Sequence, residues 1–282
     1  MTLTDLPAPA KLNLFLHITG RREDGYHLLQ SVFMLIDWSD RLHLERRASG
    51  QLSREDLTTP LPADDLILRA ARALQSASGT SWGAHIAVDK RLPAQAGMGG
   101  GSSDAATTLL ALNRLWELHW PLERLLPLGL ALGADVPFFL RGHNAWVEGI
   151  GERIEPVDVP GGHFVVIKPD QGLETAQIFR DPALERDCKT ATMLDFAAAP
   201  FGFGRNVLQP VAQRVCPAVT QALQWLSSQG LTPRMTGSGS AVFAPCPADW
   251  VLGALPAGWQ GRVCSNLERH PLAGWTSGTG YR

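Results

Sequence analysis

The chain has 282 residues, a formal net charge of −2 and 45% hydrophobic residues. It is long enough to bury a core, and its length favours about two domains. The near-neutral charge, with no basic run, argues against nucleic acid as a partner, and the absence of an apolar run of about 18 residues argues against a membrane span. The first residues lack the basic start and apolar core of a signal peptide, and the four cysteines form no Cys-x-x-Cys pair. We therefore expect a cytoplasmic protein with reduced thiols and no zinc site.

The first periodic element covers residues 11–18, where apolar and polar residues alternate. This alternation predicts a β-strand, because successive side chains of a strand point to opposite faces. Lys11 and Asn13 would share one face, roughly 7 Å apart. The opposite face would carry the aliphatic residues Leu12, Leu14, Leu16 and Ile18. A half-solvated strand with two outward polar side chains is the alternative interpretation.

A turn, a helix and a strand are predicted next. Residues 20–27 are rich in glycine and charge, which is typical of a turn. Asp64 or Asp65 can cap a helix whose apolar stripe is Ile67, Ala70, Ala71 and Leu74. Residues 84–88 are predicted to form a strand that leads into a glycine-rich stretch.

That glycine-rich stretch, residues 92–106, is the strongest local signal in the sequence. Gly97, Gly99, Gly100 and Gly101 precede two serines, and helical periodicity follows. Glycines allow a positive φ and a close approach of the backbone, while the first turn of a helix offers free N–H groups and the positive end of its dipole. These properties suit the phosphates of a nucleotide, with a flexible surface loop as the alternative. The stretch lacks the lysine of a Walker loop and the spacing of the Rossmann fingerprint.

A lone carboxylate follows the next predicted helix. That helix runs from Pro121 to about Gly133, and Asp135 then stands in an apolar neighbourhood. A buried carboxylate needs an ion pair or hydrogen bonds, so Asp135 is a candidate functional group. An aspartate that merely ends a helix or forms a turn is the alternative.

The second half begins after a predicted linker at residues 149–162, which contains Pro156 and Pro160. We predict a strand at 164–168, a short helix at 173–180, a helix from Pro217 to Gly230, and a second glycine loop at 236–240 that runs into a strand at 242–245.

Several of these stretches occur in an order that resembles the GHMP small-molecule kinases. They are Pro9–Leu14, Pro93–Ala106 and Met235–Ser240. Lys11-x-Asn13, Gly-Tyr-His at 25–27 and Gly-Ala-Asp-Val-Pro at 133–137 are similar to the members that act on a cytidylyl methylerythritol. The resemblance covers nearly the whole chain, and the combination of motifs is specific where any one of them is not.

The resemblance implies an α+β fold with two domains. Residues 1–155 would form an ATP-binding domain similar to ribosomal protein S5 domain 2. Residues 156–282 would form a ferredoxin-like, substrate-side domain, with the active site between the two. The implied reaction transfers the γ-phosphoryl of ATP to the 2-hydroxyl of the substrate, in the non-mevalonate route to isoprenoid precursors. ATP with Mg²⁺ is expected, with no nucleic acid or membrane partner, in a monomer or weak homodimer; the metal ligands are left open.

The resemblance also implies roles for single residues. Asp135 resembles the catalytic base and Lys11 its charged partner near the transferred group. The nucleotide would contact Pro93, Ala94, Gln95, Ala96, Gly97, Met98, Gly99, Gly100, Gly101, Ser102 and Ser103, with Lys90 and Asp65 at weaker positions. Asn13 would orient the substrate, Tyr26 and Phe179 would sandwich cytosine, His27 would bind its edge, and Thr175, Gly237 and Gly239 would approach from the second domain.

Two departures from the family pattern are visible. Met98 stands where leucine is usual, which is conservative. Residues 206–209, Asn-Val-Leu-Gln, replace a frequent Asn-Asp-Leu-Glu, so we assign this segment no catalytic duty. The alternatives are another GHMP kinase, of mevalonate or homoserine type, and a non-catalytic nucleotide-binding module.

Overall fold

The computed structural model describes residues 1–276. Its strands are β1 (Thr2–Arg21), β2 (His27–Arg47), β3 (Leu52–Asp56), β4 (Gly83–Asp89), β5 (Ala145–Gly149), β6 (Arg153–Pro156), β7 (His163–Lys168), β8 (Arg234–Met235), β9 (Val242–Cys246) and β10 (Gln260–Leu267). Its helices are α1 (Leu66–Ser78), α2 (Gly100–Leu115), α3 (Leu122–Leu132), α4 (Val136–Arg141), α5 (Thr175–Arg180), α6 (Met193–Ala198), α7 (Gln209–Val215) and α8 (Pro217–Ser228).

The long antiparallel pair of β1 and β2 is the frame of the molecule. β1 follows one edge of β2 with several register shifts, each of which bends the strand locally. The opposite edge of β2 is divided among three antiparallel partners: β5 at residues 29–33, β10 at residues 35–36 and β4 at residues 41–47. β3 then pairs in parallel with β4.

The second half forms a smaller antiparallel sheet in the order β10, β7, β9, β8. Its strand β10 is long enough to continue onto β2, so the two sheets share one strand. Asn144 reinforces this junction, because its Oδ1 accepts from Leu35 N at 2.9 Å and its Nδ2 donates to Leu267 O at 3.1 Å.

Buried apolar side chains form three clusters that follow this layout. One lies under α1–α4, a second lies between the smaller sheet and α7 and α8, and a third joins them around β1 and β2. After β10 the chain returns to the first cluster, where Leu272 is buried and the Arg114 guanidinium lies 4.6 Å from the Trp275 ring centroid. Elements of the N-terminal half therefore also pack against residues 272–275.

Most predicted elements are confirmed. The strand at 11–18 is part of β1, and Asp65 caps α1 by accepting from Leu68 N, with the predicted four residues of its stripe buried. Lys11 and Asn13 are 4% and 1% exposed, so the half-solvated strand is wrong. The predicted linker at 149–162 is wrong in its first half, because residues 153–156 form β6 and pair with β5. The prolines that suggested a linker lie at the end of that strand and beyond it.

Candidate active site

The glycine-rich stretch forms the loop between β4 and α2, as predicted. α2 begins at Gly100, and Gly97 and Gly99 adopt φ values of 71° and 72°, a region that side chains disfavour. The first turn of α2 presents its free N–H groups at this loop, which is the geometry of an anion site.

A cleft of about 390 Å³ opens at this loop. It is lined by nearly all the predicted nucleotide residues, together with four leucine and isoleucine side chains and Asp104: Leu61, Asp65, Leu66, Ile67, Lys90, Leu92, Pro93, Ala94, Gln95, Ala96, Gly97, Met98, Gly99, Gly100, Gly101, Ser102 and Asp104. Ser103 is fully buried one residue further along α2 and does not line the cleft.

Lys90 and Asp65 are tied to the protein as well as lining the cleft. Lys90 Nζ donates to Asp40 Oδ2 and, at 2.6 Å, to Asp104 Oδ2. Burial raises the pKa of Asp104 to about 7, although the Lys90 charge opposes this shift. Asp65 pairs with Arg54 at 2.7 Å besides capping α1. Both residues therefore stabilise the walls of the cleft.

The second glycine loop lies directly against the first. Ser240 N donates to Gln95 O at 3.1 Å, and Ala241 N donates to Ala96 O at 3.3 Å. A Cβ added at Gly97 would lie 2.4 Å from Thr236 O, and one added at Gly237 would lie 2.5 Å from Gly97 O. The two loops approach each other at a distance that only glycine allows at both positions.

Lys11 and Asp135 meet beside the phosphate loop. Lys11 Nζ is 3.7 Å from Asp135 Oδ2, although 124 residues separate them along the chain. The Lys11 backbone N–H donates to Met98 O at 3.0 Å, which fixes β1 to the loop. Asp135 precedes α4 and makes no side-chain capping bond, so its carboxylate is not used as a helix cap.

The charge of Lys11 is held in a buried setting. Burial lowers the pKa of its ammonium, and the nearby Asp135 carboxylate opposes this shift. Nζ also donates to Asn13 Oδ1 at 2.5 Å and lies 4.3 Å from the centroid of the Phe33 ring. A third of the Asp135 side chain is exposed, so Asp135 is the member of this ion pair that a substrate can reach.

A chain of contacts leads from this pair to the predicted substrate residues. Asn13 N donates to Thr236 Oγ1 at 2.9 Å, in the second glycine loop. Ser238 of the same loop shares a 2.6 Å hydrogen bond with Thr175 Oγ1, at the start of α5. Phe179 lies one helical turn further along α5, roughly 6 Å away at 1.5 Å per residue.

The predicted cytosine residues are brought together only in part. His27 and Phe179 rings have centroids 5.3 Å apart. Tyr26 is 61% exposed, and the structure gives its ring no aromatic partner among residues 1–276. Sequence reasoning missed Arg186, whose Nε donates to His27 Nε2 at 3.0 Å; no motif marked it.

Residues 206–209 hold the second glycine loop in place. Asn206 Nδ2 donates to Met235 O and Gly237 O, each at 2.8 Å, and Gln209 Oε1 accepts from Met235 N at 2.8 Å. The side-chain amides of Asn206 and Gln209 thus hold the loop by hydrogen bonds that require no carboxylate.

Asn206→Ala is expected to loosen this loop. It leaves two backbone carbonyls of a buried region without their donor, at a cost of about 1–3 kcal/mol each. Urea unfolding should show that loss of stability, and the KM for ATP should rise because the loop touches residues 95–97. The exposed helical change Gln224→Ala is the control, and an Asn206 variant as stable as that control would contradict the assignment.

The described residues were also compared with the features of a membrane span, a metal cluster and a disulfide. No helix of residues 1–276 is both long and apolar enough to cross a bilayer. Within the same residues no cluster of three or more His, Cys, Asp or Glu side chains could hold a metal, and all four cysteines are free.

A second cavity of about 690 Å³ lies near Arg141 and Arg269 and shares no lining residue with the cleft.

Comparison with known proteins agrees with this geometry. The family model described as GHMP kinases N terminal domain matches residues 65–143, and that described as GHMP kinases C terminal matches residues 192–261. A 4-diphosphocytidyl-2-C-methyl-D-erythritol kinase of Albidiferax ferrireducens is 67% identical over 274 residues, covering 97% of this chain and 96% of the relative.

Two crystal structures share the fold. A 4-(cytidine 5'-diphospho)-2C-methyl-D-erythritol kinase matches with a TM-score of 0.80 and 34% identity, over 94% of this chain and 99% of that one. A homoserine kinase of Cytophaga hutchinsonii matches with a TM-score of 0.69 and 14% identity, over 95% of each chain. The chain therefore belongs to the GHMP kinase family, in the group of 4-diphosphocytidyl-2-C-methyl-D-erythritol kinases.

Proposed function

We propose that this protein transfers the γ-phosphoryl of ATP to the 2-hydroxyl of 4-diphosphocytidyl-2-C-methyl-D-erythritol, giving the 2-phosphate and ADP, in non-mevalonate isoprenoid precursor biosynthesis. One observation carries the mechanism: Lys11 contacts Asp135 at 3.7 Å and is bonded through its backbone to the phosphate-type loop that precedes α2.

The steps follow from this order of groups. The backbone N–H groups at the start of α2 bind the ATP phosphates, because they are free donors at the positive end of the helix dipole. Asp135 accepts the proton of the substrate hydroxyl as its oxygen forms a bond to the γ-phosphorus and the bond to the ADP oxygen breaks. Lys11 stabilises the negative charge on the transferred group, and positioning supplies most of the remaining catalysis.

Mg²⁺ is proposed as the companion of ATP. It would neutralise charge on the phosphates, and Mg²⁺ bound to a nucleotide takes few protein ligands. The partly exposed Asp135 carboxylate is an oxygen of this chain that would suit such an ion, whereas Ser103 Oγ is buried and does not line the cleft.

Turnover assays separate this proposal from its alternatives. Coupled ADP release is measured with the cytidylyl substrate, mevalonate and homoserine. We expect turnover with the first alone. Turnover with mevalonate or homoserine instead would indicate another GHMP kinase, and ATP binding without turnover would indicate a non-catalytic module. The Lys11–Asp135 pair and the 67% identical relative favour the kinase.

Tyr26→Ala tests the proposed cytosine site. Loss of one stacking ring, at about 1–3 kcal/mol per base, should raise the KM for the cytidylyl substrate roughly 5- to 150-fold and leave the KM for ATP unchanged. Tyr26→Phe keeps the ring and is the matched control. An unchanged KM in the alanine variant would remove Tyr26 from the site.

The proposal also covers the domain division, the cellular location and the oligomeric state of the protein. Division at residues 155/156 into an ATP-binding and a substrate-side domain agrees with one family model on each side of it. A cytoplasmic location fits ATP as the donor and four free thiols. A monomer or weak homodimer, with no nucleic acid partner, completes the proposal.

A further inference from the structure

Arg186 connects two parts of the predicted pyrimidine site. Its Nε donates to His27 Nε2 at 3.0 Å. Its Nη1 donates to Leu184 O at 2.9 Å, while Nη2 donates to Asp181 O at 2.7 Å and to Phe179 O at 3.3 Å. One guanidinium therefore holds the His27 ring and the backbone that carries Phe179 in a fixed relation.

These bonds determine which nitrogen of His27 carries the proton. A guanidinium has only donors, so His27 Nε2 must accept from it. In a neutral imidazole the other nitrogen then carries the hydrogen, which makes Nδ1 a donor. Nδ1 has no hydrogen-bond partner among residues 1–276, so this N–H is available to a ligand.

The surroundings of His27 favour the neutral ring. Burial lowers the pKa of His27, and the charges of Arg186 and Arg21 lower it further. Protonation would also place an N–H of the ring against the Nε–H of Arg186, 3.0 Å away. The ring thus stays neutral with a single donor, and its position beside Phe179, at 5.3 Å between centroids, is that of a group beside a stacking surface.

We propose that Arg186 is a positioning residue for base recognition, which locks His27 in the Nδ1–H tautomer so that it donates to an acceptor of the pyrimidine ring, O2 or N3. This inference rests on the proposed function. Arg186 acts through His27 and Phe179 and is assigned no contact with the base.

The first test reads the tautomer in the ligand-free protein. Histidine labelled with ¹⁵N distinguishes the two neutral forms by NMR, and the His27→Gln spectrum assigns the signal. We expect the Nδ1–H form at pH 7.5 in the unmodified protein. Arg186→Met, which keeps the apolar stem, should yield a mixture of tautomers and a higher His27 pKa. An Nε2–H form in the unmodified protein, or an unchanged spectrum in the variant, would overturn the proposal.

The second test reads substrate binding. At pH 8 the KM of Arg186→Met for the cytidylyl substrate should rise roughly 3- to 10-fold, the range of one hydrogen bond, with kcat and the KM for ATP unchanged. At pH 6 the KM should approach that of the unmodified protein, because a protonated ring regains an Nδ1–H. Arg180→Met, at an exposed arginine at the end of α5, is the matched control.

A role for Arg186 in folding alone would give a different result. In that case kcat, both KM values and the melting temperature would change together, with no recovery at low pH. That outcome would overturn the proposal. Failure of the proposed function itself is distinguishable, because the unmodified protein would then lack turnover of the cytidylyl substrate while the NMR result for His27 stood.

Discussion

Replacing Asp135 with alanine is expected to lower kcat by roughly 10²- to 10⁴-fold, the contribution of a positioned general base. The ATP-binding cleft should be unaffected, because Asp135 does not line it and caps no helix. Coupled ADP release gives kcat, and a fluorescent ATP analogue gives the dissociation constant. Asp135→Asn, which keeps the shape of the side chain, should lose as much activity as the alanine variant.

Controls keep this result specific. Glu123→Gln removes an exposed carboxylate from the first turn of α3 and should leave kcat unchanged. Near-normal turnover of either Asp135 variant would show that the hydroxyl proton goes elsewhere. A tenfold or greater loss of ATP affinity would show instead that Asp135 acts mainly through the nucleotide.

Replacing Gly97 with alanine is expected to have the second large effect. The new Cβ would lie 2.4 Å from Thr236 O and 2.9 Å from Gly239 N, both in backbone, so the two glycine loops must separate. A positive φ of 71° adds about 1–2 kcal/mol of strain for a side chain. We expect at least a tenfold rise in the KM for ATP, together with a fall in the free energy of unfolding.

Gly79→Ala is the matched control for this variant. Gly79 ends α1 with a φ of 66°, and a Cβ there would meet no atom within 4 Å. The control therefore carries the backbone strain without the collision and should change stability alone. If both variants had the same KM for ATP, contact between the loops would not matter for nucleotide binding.

Individual helices and strands of this protein could be predicted because the residues that determine them are neighbours in the sequence. Alternation at 11–18, the aspartate cap of α1 and the proline and glycine at the ends of α8 each act through neighbouring residues. The linker prediction was wrong because β6 depends on a contact that is not local. Pro156 ends this strand, and the pairing of β6 with β5 has a register that composition does not reveal.

The site could be predicted in part. The resemblance implies that Lys11 is the partner of Asp135, and the structure places Lys11 Nζ 3.7 Å from Asp135 Oδ2. No sequence motif marks Arg186. Its guanidinium donates to His27 and to three backbone carbonyls, and only the folded chain brings these acceptors together. Asn206 lies in a segment to which the sequence assigns no catalytic duty, and its bonds to the second glycine loop are visible only in the structure.

The strand shared by the two sheets has a consequence for the order in which the chain is made. β10 covers residues 35–36 of β2, but it is synthesised more than two hundred residues later, at 260–267. Until those residues are synthesised, this part of β2 lacks its neighbouring strand, and an open strand edge of this kind can pair with other chains. The last strand of the described residues thus completes a sheet that the first two strands begin, and the N-terminal half cannot close this edge until residues 260–267 have been synthesised.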